Sequence, residues 1–536
     1  VSKDQKVPEP EGESPRPAAR RLRAGLGALS GLIAGLSALA VAELTAAAVR
    51  PEASPVTAVG GAFIDRTPPW LKDFAVRNFG TDDKLVLQLG ILAVLAVFAL
   101  AVGVAASRHR RAGSAAVLVF GAVGAVAAVG RPGGGTLDAL PSALGALVAC
   151  GVLYLLAGRL TLRPSRAAGG TDGPLDRRGF VIAASGAAAA SAGAGALGRL
   201  LGVSGAAGAV ASRENTVLPA PASPARPVPA GAGPRIPGLS PFTTPVKDFY
   251  RVDTALVVPR IDATRWRLSI HGRGVTRPLT VGFRDLLRRE LIERDITLTC
   301  VSNEVGGRYV GNARWTGVRL ADLLREAGVT PPSEGGPADQ LVARSVDGMT
   351  IGSPVETVMD GRDALLAVGM NGEPLPFDHG FPVRMLIPGL YGYVSACKWL
   401  QDLELTTFAD YDAYWVRRSW SPTAPVKTQS RIDTPRPFAS PRAGTVPVAG
   451  VAWAQRRGIA RVEVRVDGGE WHTARLAAED TRDTWRQWVW EWPATSGSHT
   501  LEVRATDRDG DTQTERRAGT VPDGATGRHS VVVAVV

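Results

Sequence analysis

The sequence predicts a multi-domain chain: a five-helix transmembrane region, then an α+β domain, then an all-β sandwich of immunoglobulin-like type. Three observations carry this. Five apolar runs, each near the roughly 20 residues that cross a bilayer core, crowd into the first 210 residues. The stretch 296–324, ITLTCVSNEVGGRYVGNARWTGVRLADLL, opens as a strand, delivers one cysteine and closes on an amphipathic helix. Beyond residue 425, short alternating strands such as 461–466 (RVEVRV) and 500–505 (TLEVRA) are separated by turns at Asp467-Gly468 and Asp509-Gly510.

Residues 1–20 are rich in Pro, Glu and Arg and have no apolar period, so they read as a disordered cytoplasmic tail. The apolar runs lie at 24–49, 85–106, 114–130, 139–158 and 180–203, within a region spanning 21–204. Arginines flank them: Arg16, Arg20, Arg21 and Arg23 before the first, Arg108, Arg110 and Arg111 after the second, and Arg159, Arg163, Arg166, Arg177 and Arg178 after the fourth. Under the positive-inside rule these are cytoplasmic, which predicts a multi-pass protein of the cell membrane with everything after residue 204 outside. The net charge of +11 therefore reports topology. No basic stripe with interleaved aromatics exists, and a nucleic-acid partner is not expected. None of the six histidines falls in an apolar run, so no haem is expected there. Glu43, the one carboxylate in a run, is placed at the outer interface, and Cys150 is read as a packing residue.

The fifth run starts at Asp176-Arg177-Arg178-Gly179-Phe180-Val181, which resembles a twin-arginine export signal and is equally explained as positive-inside flanking. Ala209-Val210-Ala211 matches a signal-peptidase site before Ser212. Residues 205–242, rich in Pro, Ala and Gly, read as an extended linker. The α+β domain is set at 243–424 and the β-rich domain at 425–536.

Chemistry concentrates in a few blocks. Ile296 and Leu298 alternate with Thr297 and Thr299, and Cys300 follows where the strand runs into a Gly-rich loop. Cys300 has two readings at this point, a reactive or ligating thiol and one half of a disulfide with Cys397. The run 370–400, MNGEPLPFDHGFPVRMLIPGLYGYVSACKWL, presents His379, Arg384 and Lys398, three donors suited to an anion that leaves water. Asp347-Gly348-Met349-Thr350 is a turn into a strand, and Lys247-Asp248-Phe249-Tyr250-Arg251-Val252-Asp253 opens the domain.

The cysteine block with Asn303, the run Asn312-Ala313-Arg314-Trp315, and the Asn-Gly-Glu-Pro-Leu-Pro, Asp-His-Gly-Phe-Pro-Val-Arg and Lys-Trp-Leu blocks resemble the sulfite-oxidase family of molybdopterin enzymes, over about residues 243–536. The resemblance implies a sulfite-oxidase-like molybdopterin domain in which Cys300 is the molybdenum ligand. It implies cofactor contacts from Phe249, Tyr250, Arg251, Asp253, Asn303, Asp347, His379, Arg384, Ser395 and Lys398. It also implies that 425–536 is a dimerisation domain and that electrons pass to a separate partner. The cationic and phenolic groups with which sulfite-oxidising members hold their anion fall here on Val252, Val305, Val368 and near Ser395. The expected function is therefore oxygen-atom transfer on a small substrate other than sulfite, such as a sulfoxide or N-oxide. Sulfite oxidation proper and a membrane-tethered non-catalytic binding module are the alternatives.

Overall fold

The computed structural model describes residues 17–67, 83–131, 133–161 and 177–536, and the chain divides into two compact units at Ser204/Gly205. The tail to residue 16, Arg163, Arg166 and Asp176 lie outside the described residues.

The first unit is helical: α1 (Pro17–Val49), α2 (Pro55–Arg66), α3 (Asp83–Ala106), α4 (Arg110–Val129), α5 (Leu140–Thr161) and the first part of α6 (Arg177–Glu214). Among the described residues five stretches are long and apolar enough to cross a membrane, Arg21–Val49, Leu85–Ala106, Arg110–Val129, Thr136–Leu160 and Arg178–Glu214. They coincide with the five expected runs. The short α2 was not anticipated. Small residues set the packing: a Cβ on Gly31 would lie 1.9 Å from the Ala99 carbonyl, and one on Gly103 would lie 2.2 Å from that of Gly27. Helices α1 and α3 thus meet backbone to backbone, an approach that small residues alone permit. The hydroxyls of Ser37 and Ser191, 2.6 Å apart, join α1 to α6. Glu43 accepts a hydrogen bond from the Ser54 hydroxyl just beyond the helix end.

Helix α6 runs past the expected end at 203 and through Ala209-Val210-Ala211, with Ala209 wholly buried. The Ser212 hydroxyl accepts the Ala263 N–H at 3.1 Å, and Arg213 donates to the carbonyls of Leu375 and Pro374 at 2.8 and 2.9 Å. The peptidase-like run is therefore held in a docked helix rather than in the extended form a peptidase binds. The Pro-rich segment that follows is extended, as its composition predicts, but it is fastened along its length rather than free.

The second unit carries strands β1 (Arg267–Gly272), β2 (Leu279–Gly282), β3 (Leu291–Thr299), β4 (Val310–Arg319), β5 (Gln340–Ser345), β6 (Thr350–Pro354), β7 (Leu365–Met370), β8 (Glu373–Pro374), β9 (Arg384–Leu386) and β10 (Leu400–Thr406). They form two sheets, β2-β1-β10-β5-β6 and β3-β4-β7-β8, with β9 also paired to β7. All pairs are antiparallel except β1 with β10. Strand β3 is an edge, and the Pro-rich segment covers it. Ser223 donates to Leu291 O at 3.2 Å and accepts from the Glu293 N–H at 2.9 Å, while Arg314 donates to Arg226 O at 3.1 Å. An edge strand offers unpaired backbone groups, and an extended segment without a ladder of its own supplies the partners.

Strands β11 (Gln429–Thr434), β12 (Gly444–Trp453), β13 (Ile459–Val466), β14 (His472–Thr473), β15 (Arg475–Leu476), β16 (Arg486–Ala494), β17 (Gly497–Asp507) and β18 (His529–Val535) complete the chain. They form two four-stranded sheets, β11-β12-β16-β15 and β14-β13-β17-β18, around one core that includes Val448, Val464, Trp488, Val503 and Val533. Trp488 and Trp492 are buried, and Trp490 stacks on His472 at 5.0 Å.

The expected alternation in β3 is present in chemistry but not in exposure, because Ile296, Thr297, Leu298 and Thr299 are all buried. Asn312 on β4 serves the polar face. Its Oδ1 accepts from the Thr297 hydroxyl at 3.0 Å and its Nδ2 donates to Phe242 O at 3.0 Å. Asn312→Ala would leave the buried Thr297 hydroxyl hydrogen without an acceptor and the Phe242 carbonyl with only the Trp485 indole N–H, and should lower the unfolding free energy of the second unit by about 1–3 kcal/mol. Denaturant titration of the full chain in detergent, followed by tryptophan fluorescence, measures it.

Candidate active site

Cys300 is the first residue after β3. Its N–H donates to Tyr309 O at 2.9 Å, which closes the loop 300–309, and its carbonyl accepts the Asn303 N–H at 3.0 Å. Asn303 turns its own Oδ1 to the Tyr309 N–H at 2.8 Å, so this predicted cofactor contact shapes the loop. The glycines are required by close approach: a Cβ on Gly306 (φ +78°) would sit 2.1 Å from the His529 ring, and one on Gly307 2.6 Å from Asn303 Oδ1. Arg431 donates to Gly307 O at 2.7 Å. The β-rich region therefore clamps the loop through Arg431 and His529. Sequence reasoning missed both, since their only local trace is a glycine pair more than a hundred residues away.

Cys300 is buried, and it, Cys150 and Cys397 are free thiols, which removes the Cys300–Cys397 disulfide reading. Burial pushes the Cys300 thiol up, while the N–H and hydroxyl of Ser302 pull it back. A buried thiolate here needs a nearby positive charge.

The segment before β1 brings aromatics to the same place. Phe249 stacks on Tyr250 at 5.2 Å and meets Trp315 and His379 edge-on at 5.7 and 5.6 Å. A Cβ on Gly311 would come within 2.8 Å of the Phe249 ring. Burial raises the Tyr250 phenol above its ordinary value, the neighbouring Cys300 adds to that, and Arg384 opposes it. Tyr250 is thus within electrostatic reach of both. Tyr391, not singled out from sequence, is buried and pushed up to about 12, first by burial, with Cys300 among its charged neighbours.

The three predicted donors converge around Gly380 (φ +105°), where a Cβ would lie 3.0 Å from Lys398 Cβ and 3.1 Å from Arg384 Cβ. They are not equivalent. Lys398 Nζ lies 2.7 Å from Asp253 Oδ2, a pair buried on both sides, and donates to Asp378 O at 3.2 Å. Arg251 pairs with Asp253 at 3.0 Å and Asp378 at 3.3 Å. Burial, together with Arg384 and Lys398, holds His379 down at about 4, so it is neutral near pH 7. Arg384 is buried with its guanidinium 5.2 Å from the Trp315 ring centroid, and burial lowers it to about 10. It is paired with no carboxylate among the described residues, and its Nε has no hydrogen-bond partner. A buried, uncompensated guanidinium beside a neutral imidazole fits a bound anion such as a cofactor phosphate.

Two further expected contacts have partners within the chain. Ser395 is fully buried and its hydroxyl donates to the carbonyls of Leu390 and Tyr391 at 3.0 Å each, so it is committed to the backbone of its own turn. Asp347 is buried, accepts the Met349 N–H at 3.3 Å, and faces Cys397, whose thiol is driven up chiefly by burial and also by that carboxylate. Of the residues aligned with the missing anion-binding groups, Val368 is wholly buried in β7 and Val252 is 43% exposed.

A family described as the oxidoreductase molybdopterin binding domain matches residues 255–415. Human mitochondrial sulfite oxidase is 31% identical over 289 residues, 46% of this chain and 53% of that one. The uncharacterized oxidoreductase YuiH of Bacillus subtilis (strain 168) is 31% identical over 159 residues, 30% of this chain and 74% of that one. The chain belongs to the sulfite oxidase family of molybdopterin oxidoreductases. It is an enzyme, and its cofactor is molybdopterin with molybdenum. It spans about half the length of the human relative. Among solved structures, the sulfane dehydrogenase SoxCD from Paracoccus pantotrophus aligns with a TM-score of 0.47 at 25% identity, over 55% of this chain and 84% of that one.

Arg384→Gln should weaken cofactor retention by about ten- to a hundredfold, the loss expected for a charged hydrogen bond worth about 1.5–3 kcal/mol. Lys398→Gln should cost less, because Asp253 already compensates that charge. Molybdenum and pterin content of the purified variants after dialysis measures both.

Proposed function

We propose that this sulfite oxidase family member is a membrane-anchored enzyme whose catalytic domain lies outside the cytoplasm, and that it moves an oxygen atom to or from a small uncharged substrate such as a sulfoxide or N-oxide. The observation that carries this is the set Val252, Val305 and Val368 at positions that align with the cations and phenol of sulfite-oxidising relatives, and the buried cation Arg384 is assigned to the cofactor in this reading. Alkyl groups cannot offset the cost of drying a dianion, but they favour a neutral molecule.

When bound, the cofactor supplies two-electron redox and an exchangeable oxygen. Cys300 is assigned as the molybdenum ligand, with Ser302 donating to its sulfur. Arg384, with the neutral His379 and the charge-paired Lys398, would hold the cofactor phosphate. The buried rings of Phe249 and Trp315 would exclude water beside it. Tyr250, raised by burial, stays protonated at neutral pH and can donate its hydroxyl hydrogen to a substrate oxygen. Electrons then pass to a separate electron-transfer protein. Residues 425–536 are read as an immunoglobulin-like sandwich that pairs two chains. Sulfite oxidation is the second reading, favoured by Arg308, which is exposed on the loop after Cys300.

Steady-state assays with artificial electron donors and acceptors test the substrate class. Turnover of sulfoxides or N-oxides with only slow, unsaturated sulfite oxidation is expected; efficient saturable sulfite oxidation, lost in Arg308→Ala, would overturn it. In the same assays Cys300→Ser should abolish turnover while most pterin is retained, and Cys397→Ser should leave both nearly intact. Topology is tested by labelling engineered cysteines in intact cells with an impermeant maleimide. Glu515→Cys should react and Arg108→Cys should not, and the reverse pattern would invert the arrangement.

A further inference from the structure

The segment 435–443, Pro-Arg-Pro-Phe-Ala-Ser-Pro-Arg-Ala, joins β11 to β12 and is one of the few places outside the apolar helices where a large apolar side chain faces water. Phe438 is 82% exposed and sits at φ +61°. This costs twice, once for the ring in water and once for a left-handed backbone that a bulky side chain rarely adopts.

The exposure is imposed by a fixed loop. The Phe438 N–H donates to Val532 O at 2.7 Å, the Ala534 N–H to Ala439 O at 3.0 Å, the Val536 N–H to Pro441 O at 2.9 Å, and the Ala443 N–H to Val536 O at 2.8 Å. The loop thereby lines the free edge of β18. On that strand Val532 (40% exposed), Ala534 and Val536 (68%) alternate with buried residues and so share one outward face. Arg436 and Arg442 flank the ring, are exposed, and among the described residues pair with no carboxylate.

We propose that this loop is a peripheral membrane contact: Phe438, Val532 and Val536 enter the headgroup zone of a bilayer, and Arg436 and Arg442 bind the phosphates of anionic lipids. An aromatic ring bracketed by two arginines matches that zone, apolar within and negatively charged at its face. A protein partner fits less well, because one ring and three small alkyl groups fall far short of the roughly 20–30 residues a side of a stable protein interface. A weak lipid contact suffices in a chain that carries five apolar helices, since tethering raises the effective concentration of the surface it meets. The left-handed phenylalanine is then explained as a side chain held out for insertion at the expense of local strain.

The test uses the full chain in nanodiscs of phosphatidylcholine with or without phosphatidylglycerol, doped with a photoactivatable phospholipid, and peptide mapping of the adducts. Adducts are expected on 436–442 in the anionic discs, and they should fall with added salt while adducts on the helices do not. Phe438→Asn should lower loop adducts by about ten-fold without lowering the melting temperature, because asparagine tolerates the left-handed conformation. Arg436→Gln with Arg442→Gln should remove the dependence on phosphatidylglycerol. Adducts on the helices with none on the loop would overturn the proposal, as would a loop that crosslinks to a second copy of the chain in place of lipid.

Discussion

The hydroxyl of Thr297 donates to Asn312 Oδ1 and accepts the N–H of Trp485, and the hydroxyl of Thr299 accepts from Gln455 Nε2 at 3.1 Å. These bonds let the β-rich region close over a strand face that its own sequence makes polar. With the carbonyl of Thr297 accepting from Gln455 at 2.9 Å and its N–H donating to Asp483 O at 2.9 Å, the outward backbone groups of Thr297 are paired as well. Cys300 follows immediately, so the position of its sulfur is fixed by both parts of the unit. A strand with one solvated face would leave that thiol on a mobile edge. Burial of both faces makes it a fixed group in low dielectric, where one electrostatic partner has a large effect.

The same low dielectric explains why the cationic groups are sorted rather than merely gathered. Asp253 and Asp378 compensate Lys398 and Arg251, His379 is neutralised by its surroundings, and Arg384 keeps an uncompensated charge. A cluster of three bare cations would destabilise the fold before any anion bound, whereas one buried guanidinium supported by an aromatic face is tolerable. Among the described residues of this cluster, one buried guanidinium is thus left for an anionic group, and the other cationic side chains already have carboxylate partners.

The start of the second unit follows a related logic. The Pro-rich segment cannot form a helix and has no ladder of its own, so it satisfies its backbone on the edge of β3. Within that unit Arg213 donates to the carbonyls of Pro374 and Leu375, just before the turn that carries His379. The composition of 205–242 is that of a flexible tether, and the edge strand makes it a strap.

The sequence alone determined the five apolar helices, since the length and hydropathy of each run are local properties that owe nothing to distant neighbours. It determined the strands of the last hundred residues, through alternation and Asp-Gly turns, and the strand that ends at Cys300. The resemblance in its motifs named the cofactor. Other properties are set by distant neighbours, and only the tertiary structure decided them. Nothing local reveals that Thr297 and Thr299 would be buried against Trp485 and Gln455, that Gly306 makes room for His529, or that Ser395 would spend its hydroxyl on its own turn. Nor could the sequence say which of His379, Arg384 and Lys398 would be left without a counter-charge. That depends on where Asp253, some 130 residues upstream of that block, comes to rest, because a charge acts through distance in space and not along the chain.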